Sequence, residues 1–118
     1  MDIKIITDPI PLEDVRTLAQ DVYRDMIKGV ADIEREVIAL GGEWHMDGNA
    51  ALLATGSKQE NVWGFNIYVD ERGDSAVRFT SLINIRPTQG NRSMEIADEN
   101  IRNMIRAIVQ KLIPELFV

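Results

Sequence analysis

The chain has 118 residues, 45% of them apolar and 27% charged, a composition that fits one domain burying roughly two-thirds of its unfolded surface. No window approaches the ~20 apolar residues that span a bilayer. The start, MDIKIITDPIP, lacks the basic flank and long apolar run of a signal peptide. With no cysteine, disulfides and thiolate metal sites are excluded, and a reducing, cytoplasmic setting is expected.

The net charge of −6 is uneven: residues 1–74 carry 15 acids and 7 bases, residues 75–118 carry 4 acids and 6 bases. Duplex binders concentrate basic charge on one face, so this balance argues against nucleic acid as a partner. It leaves room for a local anion site in the second half.

In chain order, IKII reads as a short edge strand, and Pro9 and Pro11 end it. Leu12, Val15, Leu18, Ala19, Val22, Met26 and Ile27 then form one apolar stripe, which predicts a helix over 12–27 with Pro11 at its first position. Glu13 and Asp14 sit in the first turn, where the helix dipole favours acids. Residues 29–40 read two ways. Val30, Ile33, Val37 and Leu40 continue a helical stripe, whereas Gly29 and the β-branched residues favour a strand pair. No Gly or Asn lies between those two strands to make the turn.

MDGNAALLATGS reads as a short helix or irregular segment closed by Gly56. Two clearer runs follow, VWGFNIYV (62–69) and AVRFTSLINI (76–85), joined by DERGDS. Pairing Val69 with Val77 sets Ile67 against Phe79, Phe65 against Ser81 and Trp63 against Ile83 on one apolar face. The opposite face then carries Asn66, Tyr68, Arg78, Thr80 and Asn84. Trp63, Phe65 and Phe79 read as core rather than as a base-stacking platform. A helix capped by Asp98 follows, with Ile101, Met104, Ile105, Ile108 and Leu112 as its stripe and Pro114 as its stop. The apolar tail ELFV must dock on the domain or on a partner.

Three constellations bear on chemistry. In NIRPTQGNRS, Arg86 and Arg92 can bracket an anion while Gln89, Asn91 and Ser93 add hydrogen bonds. The same groups can instead cap the loop, with Arg86 paired across strands to Glu60. Glu43, His45 and Asp47 alternate, so on an extended chain they point to one side and offer an oxygen–nitrogen–oxygen metal set. One histidine cannot make the common three-ligand zinc sites. Ser57-Lys58 reads as an exposed loop rather than a catalytic dyad.

The run VADIEREVIALGGEWHMDGNAALLATGSKQENVWGFNIY, followed by SLINIRPTQGNRS, resembles a family of short prokaryotic proteins classed as a domain of unknown function. The resemblance extends from about Leu12 to Leu112 and rests on His45, Asp47, Gly56, Ser57, Trp63, Gly64, Asn66, Ile85, Arg86 and Pro87. Where that family often has an acid two residues after the aspartate, this chain has Asn49, which weakens the metal reading. The resemblance implies strands for 29–40 and implies no activity.

The expectation is a single α+β domain over 1–118: a small antiparallel sheet packed against the 12–27 and 98–113 helices. Asn66, Arg78 and Asn84, with Arg86, Gln89, Asn91, Arg92 and Ser93, point to a non-enzymatic protein that binds an anionic small molecule or a partner protein. No cofactor is expected, and the apolar tail is the surface through which a homodimer would form. The alternatives are a metal-assisted hydrolase using Glu43, His45 and Asp47, and a purely structural or interaction module.

Overall fold

The computed structural model describes residues 2–118. Five strands form one antiparallel sheet: β1 (Ile3–Ile6), β2 (Met26–Asp32), β3 (Val37–Gly41), β4 (Val62–Tyr68) and β5 (Val77–Arg78), in the order β1-β3-β2-β4-β5. Three helices accompany them: α1 (Leu12–Gln20), α2 (His45–Ala54) and α3 (Glu99–Leu112). The architecture is α+β. Among the described residues no helix is long and apolar enough to cross a membrane.

The first helix ends at Gln20, seven residues before the stripe does. Arg24 takes a left-handed backbone (φ 68°) and its N–H closes on the Ala19 carbonyl, which stops the helix and turns the chain into β2. Met26 and Ile27 match both periods, but here they alternate as strand residues. Residues 29–40 are strands. The turn between β2 and β3 needs no Gly or Asn because Asp32 supplies one: its Oδ1 accepts from the N–H groups of Glu34 and Arg35 at 2.9 and 3.0 Å, and Glu36 takes φ 57°.

The sheet is covered on both faces. Ile27, Ala31, Ile38, Leu40, Trp63, Phe65 and Ile67 share one core with Leu12, Val15 and Ala19 of α1 and Ile105, Ile108, Val109 and Leu112 of α3. Val30, Ala39 and Val62 form a smaller core with Leu52 of α2 on the other face. Burial on both sides explains why β3 reads as a continuous apolar run. Asp98 caps α3 by accepting from Asn100 N–H at 2.8 Å, while Met104, counted in the stripe, faces solvent.

The β4–β5 register differs by two residues from the expected one. Ile67 pairs with Val77 and Asn66 with Arg78, so Phe79 is not opposite Ile67. A shift of two preserves the faces of the paired residues, so Ile67, Val77 and Phe79 remain in the main core. Ile83, expected beside Trp63, packs instead with Val30, Ala39 and Val62 on the other face. The second strand is far shorter than the apolar run. After Phe79 the chain leaves the sheet, bridges Thr80 to Glu95 and enters a 3-10 turn at Leu82–Asn84.

The tail docks on its own domain. Leu116 is fully buried and Phe117 packs against the main core, leaving Val118 exposed. Glu115 Oε1 accepts from Leu12 N–H at 2.8 Å, serving as the N-terminal cap that Pro11 cannot provide. Most of the apolar tail thus packs on its own domain.

Gly29 lies opposite Phe65, and a Cβ there would stand 2.5 Å from the Phe65 ring. Replacing a strand glycine gains about 0.5–1 kcal/mol of backbone entropy, less than the roughly 1–3 kcal/mol lost by overpacking against a fully buried ring. Gly29→Ala is expected to lower stability in urea denaturation, and adding Phe65→Leu should recover part of the loss.

Candidate ligand-binding cavity

Strand alternation sends Ile27, Phe65 and Ile67 into the main core and turns Lys28, Asn66 and Arg78 to the other face. The registers Lys28–Asn66 and Asn66–Arg78 set these three in one row across β2, β4 and β5. Neighbouring Cβ atoms in such a row are about 5 Å apart. Met26 and Tyr68 form the next row. The helix α2 covers the Val30, Ala39 and Val62 side of this face, and the cationic row lies beyond it. A cavity of about 770 Å³ opens there.

Trp44, His45 and Met46 line it from the start of α2, and Leu82, Ile83 and Met94 from the other side. Its rim is apolar yet solvent-facing, with Trp44 60% and Leu82 68% exposed. Such a patch around a polar floor is the usual make-up of a ligand site.

The two cations differ. Arg78 is matched: its Nη2 lies 2.7 Å from Glu71 Oε2, and its guanidinium stacks over the Tyr68 ring at 4.1 Å. Lys28 has no carboxylate partner among the described residues. Its ammonium stands over the rings of Tyr23 and Trp44, at 5.3 and 5.4 Å. Glu95, also lining the cavity, accepts the Thr80 hydroxyl.

His45 is buried, with Nε2 2.9 Å from the Phe65 carbonyl. A carbonyl only accepts, so Nε2 carries the proton and Nδ1 is left as an acceptor in the neutral ring. Burial pulls its pKa below the ordinary histidine value, the Phe65 carbonyl opposes that, and the Lys28 charge lowers it further. The Asn66 amide near the ring raises it more weakly, without a well-formed hydrogen bond. Asn66 is 7% exposed, and its Nδ2 donates to the Thr80 carbonyl at 3.0 Å. Its Oδ1 has no hydrogen-bond partner among the described residues.

Of the residues picked from the sequence for ligand binding, Asn66 and Arg78 line the cavity; the 84–93 group does not. Asn84 is fully buried, and its amide bonds both the N–H (2.8 Å) and the carbonyl (3.0 Å) of Gly64. Arg86 donates to the carbonyls of Ile83, Gln59 and Val62 and stacks over Trp63 at 4.4 Å. It does not reach the Glu60 carboxylate. Asn91 donates to the carbonyls of Asn84, Ser93 and Glu95. Gln89 bonds Glu60 O, and Ser93 bonds Glu95 O. Arg92 is exposed, with no hydrogen bond or ion pair among the described residues.

Glu43, His45 and Asp47 do not converge. The extended chain assumed for them is helical from His45 onward, and no group of three His, Asp or Glu side chains is placed to hold a metal among the described residues. Asp47 Oδ2 instead accepts from Trp44 N–H at 3.1 Å. Asn49 is buried in a reciprocal amide pair with Gln59, at 2.9 and 2.8 Å. A carboxylate at position 49 would accept only and lose half of it. Ser57, expected in an exposed loop, is buried and bonds Arg35 at 2.7 Å.

Lys28, Trp44 and Met46 escaped the reading of the sequence. The signal was present in MIKGVA, where Met26, Lys28 and Val30 alternate with Ile27, Gly29 and Ala31, but it shared residues with the end of the α1 stripe.

Residues 4–112 match the family described as protein of unknown function (DUF5674), and the chain belongs to that family. No curated protein and no solved structure matches it.

Two outcomes follow from these contacts. The folded His45 ring binds a proton less readily than the unfolded one, whose pKa is ~6.5. The unfolded state therefore holds more protons between the two values, and stability is full above pH ~6.5 and falls with pH below it. Urea midpoints from pH 8 to 5 should drop more steeply for the wild type than for His45→Gln. Arg86→Lys keeps the charge but not the fork of donors, and should cost about 2–3 kcal/mol in the same assay.

Proposed function

We propose that this protein is a non-enzymatic binding protein for a small anionic molecule with an apolar body. The reading rests on the cavity whose floor is the Lys28–Asn66–Arg78 row. Lys28 supplies a positive charge that no carboxylate neutralises among the described residues, held over two aromatic rings. An anion entering there gains a charge-assisted contact in partly desolvated surroundings, where such contacts are worth about 1.5–3 kcal/mol. Trp44, Met46, Leu82 and Met94 give the apolar body a place to pack, and methionine adapts to irregular shapes. Arg78 lends a second, already paired, cation. The exposed Arg92 and the brace around Asn84, Arg86 and Asn91 stand outside this site.

The probe is 8-anilinonaphthalene-1-sulfonate, an aromatic anion, titrated by fluorescence at pH 7. Saturable one-site binding is expected, weakened at least fivefold by Lys28→Met and unchanged by Arg92→Ala. No saturable binding, or affinity that responds to Arg92→Ala and not to Lys28→Met, would overturn the reading.

A further inference from the structure

Among the residues lining the cavity, one buried side-chain acceptor, Asn66 Oδ1, has no hydrogen-bond partner among the described residues. The amide cannot turn to hide it, because Nδ2 is committed to the Thr80 carbonyl at 3.0 Å. Asn66 is more than nine-tenths buried, and a buried acceptor without a partner costs about 1–3 kcal/mol. The Thr80 hydroxyl does not serve it, since it donates to Glu95.

Beside this acceptor stands Lys28, a cation without an ion-pair partner among the described residues. Lys28 is the direct cross-strand neighbour of Asn66, so the ammonium and the bare carbonyl oxygen belong to adjacent side chains on one face. A ligand that satisfies both carries an acidic group and, a few atoms away, an N–H or O–H donor. The walls add a shape. Trp44 and Tyr68, whose rings also hold Lys28 and Arg78, line the cavity, and the space is ample for one or two fused rings.

We infer that the ligand is a planar aromatic acid bearing a ring N–H, its acid on Lys28 and its N–H donated to Asn66 Oδ1. This rests on the cavity reading above and goes beyond it. An anion site alone needs no donor on the ligand. Sites built to hydrogen-bond one group discriminate strongly against analogues lacking it, because the buried partner is then left bare.

Calorimetry with three probes tests this: indole-3-acetate, benzofuran-3-acetate, in which oxygen replaces the N–H, and 3-methylindole, which lacks the acid. The wild type is expected to bind indole-3-acetate at least tenfold tighter than either of the others. In Asn66→Ala the preference for indole-3-acetate over benzofuran-3-acetate should fall below threefold. If that variant does not fold, the wild type still decides, because the ¹⁵N-labelled indole N–H of the bound probe should shift downfield and exchange slowly. Equal binding of the two acids, or an unshifted N–H, overturns the donor inference and leaves the anion site standing. Binding of the naphthalene sulfonate but of neither acid does the same. If no anion binds, both fall.

Discussion

The outer edge of β4 governs much of this molecule. β2 pairs with the whole of β4 on one side, but on the other side β5 reaches only Asn66 and Ile67. Toward its start, β4 would present bare backbone groups in a buried setting, each costing energy comparable to a lost hydrogen bond. Side chains take the place of the missing strand. The Asn84 amide meets both backbone groups of Gly64, as a strand residue would, and Arg86 meets the Val62 carbonyl. Gly64 permits this approach, since a Cβ there would lie 2.7 Å from Ser81 Cβ. Asn91 then holds the Asn84 backbone, and Arg86 and Asn91 bridge each other's. The polar loop is thus a substitute edge for the sheet, and its wealth of amides is explained by backbone groups that need partners.

That substitution also shapes the cavity. A β5 strand continuing alongside β4 would have extended the sheet. By leaving after Phe79, the chain instead lifts Leu82, Ile83 and Met94 beside the sheet face and forms one wall. The opposite wall comes from α2, whose buried stripe is His45, Gly48, Asn49 and Leu52. Gly48 brings the helix close to Val30, where a Cβ would lie 2.9 Å from its methyl. The two walls stand on either side of the cationic row.

What the sequence made legible follows the same physics. The class, β1, the Asp98 cap and the face assignment of β4 and β5 all rest on period and capping, which are local. The register missed by two because parity is written in hydropathy, whereas the pairing partner is chosen by the loop between strands. The helix stripe over 12–27 ran on because Met26 and Ile27 suit either period until Arg24 breaks the backbone. α2 hid for a different reason: its buried positions are spaced i, i+3, i+4 and i+7, but three of the four residues are polar or glycine, so hydropathy carries no stripe. The site was half visible. Asn66 and Arg78 came from alternation, while Lys28 needed β2 to be recognised first. The 84–93 loop drew attention through its side chains, whose partners lie on β4 and the turn before it, out of reach of local reading.

The meeting of Glu115 with the first turn of α1 has a consequence for the order of events during synthesis. Ile10 N–H also bonds the Leu112 carbonyl, so contacts spanning about a hundred positions fix where α1 sits. A chain made from the amino end can pair β1, β2, β3 and β4 early, yet the sheet face that α3 and the tail cover stays open until residues 105–116 emerge. Loop closure over such a span is entropically slow to be rewarded. The α1 helix waits for α3, and the larger of the two cores closes only once residues 105–116 are made.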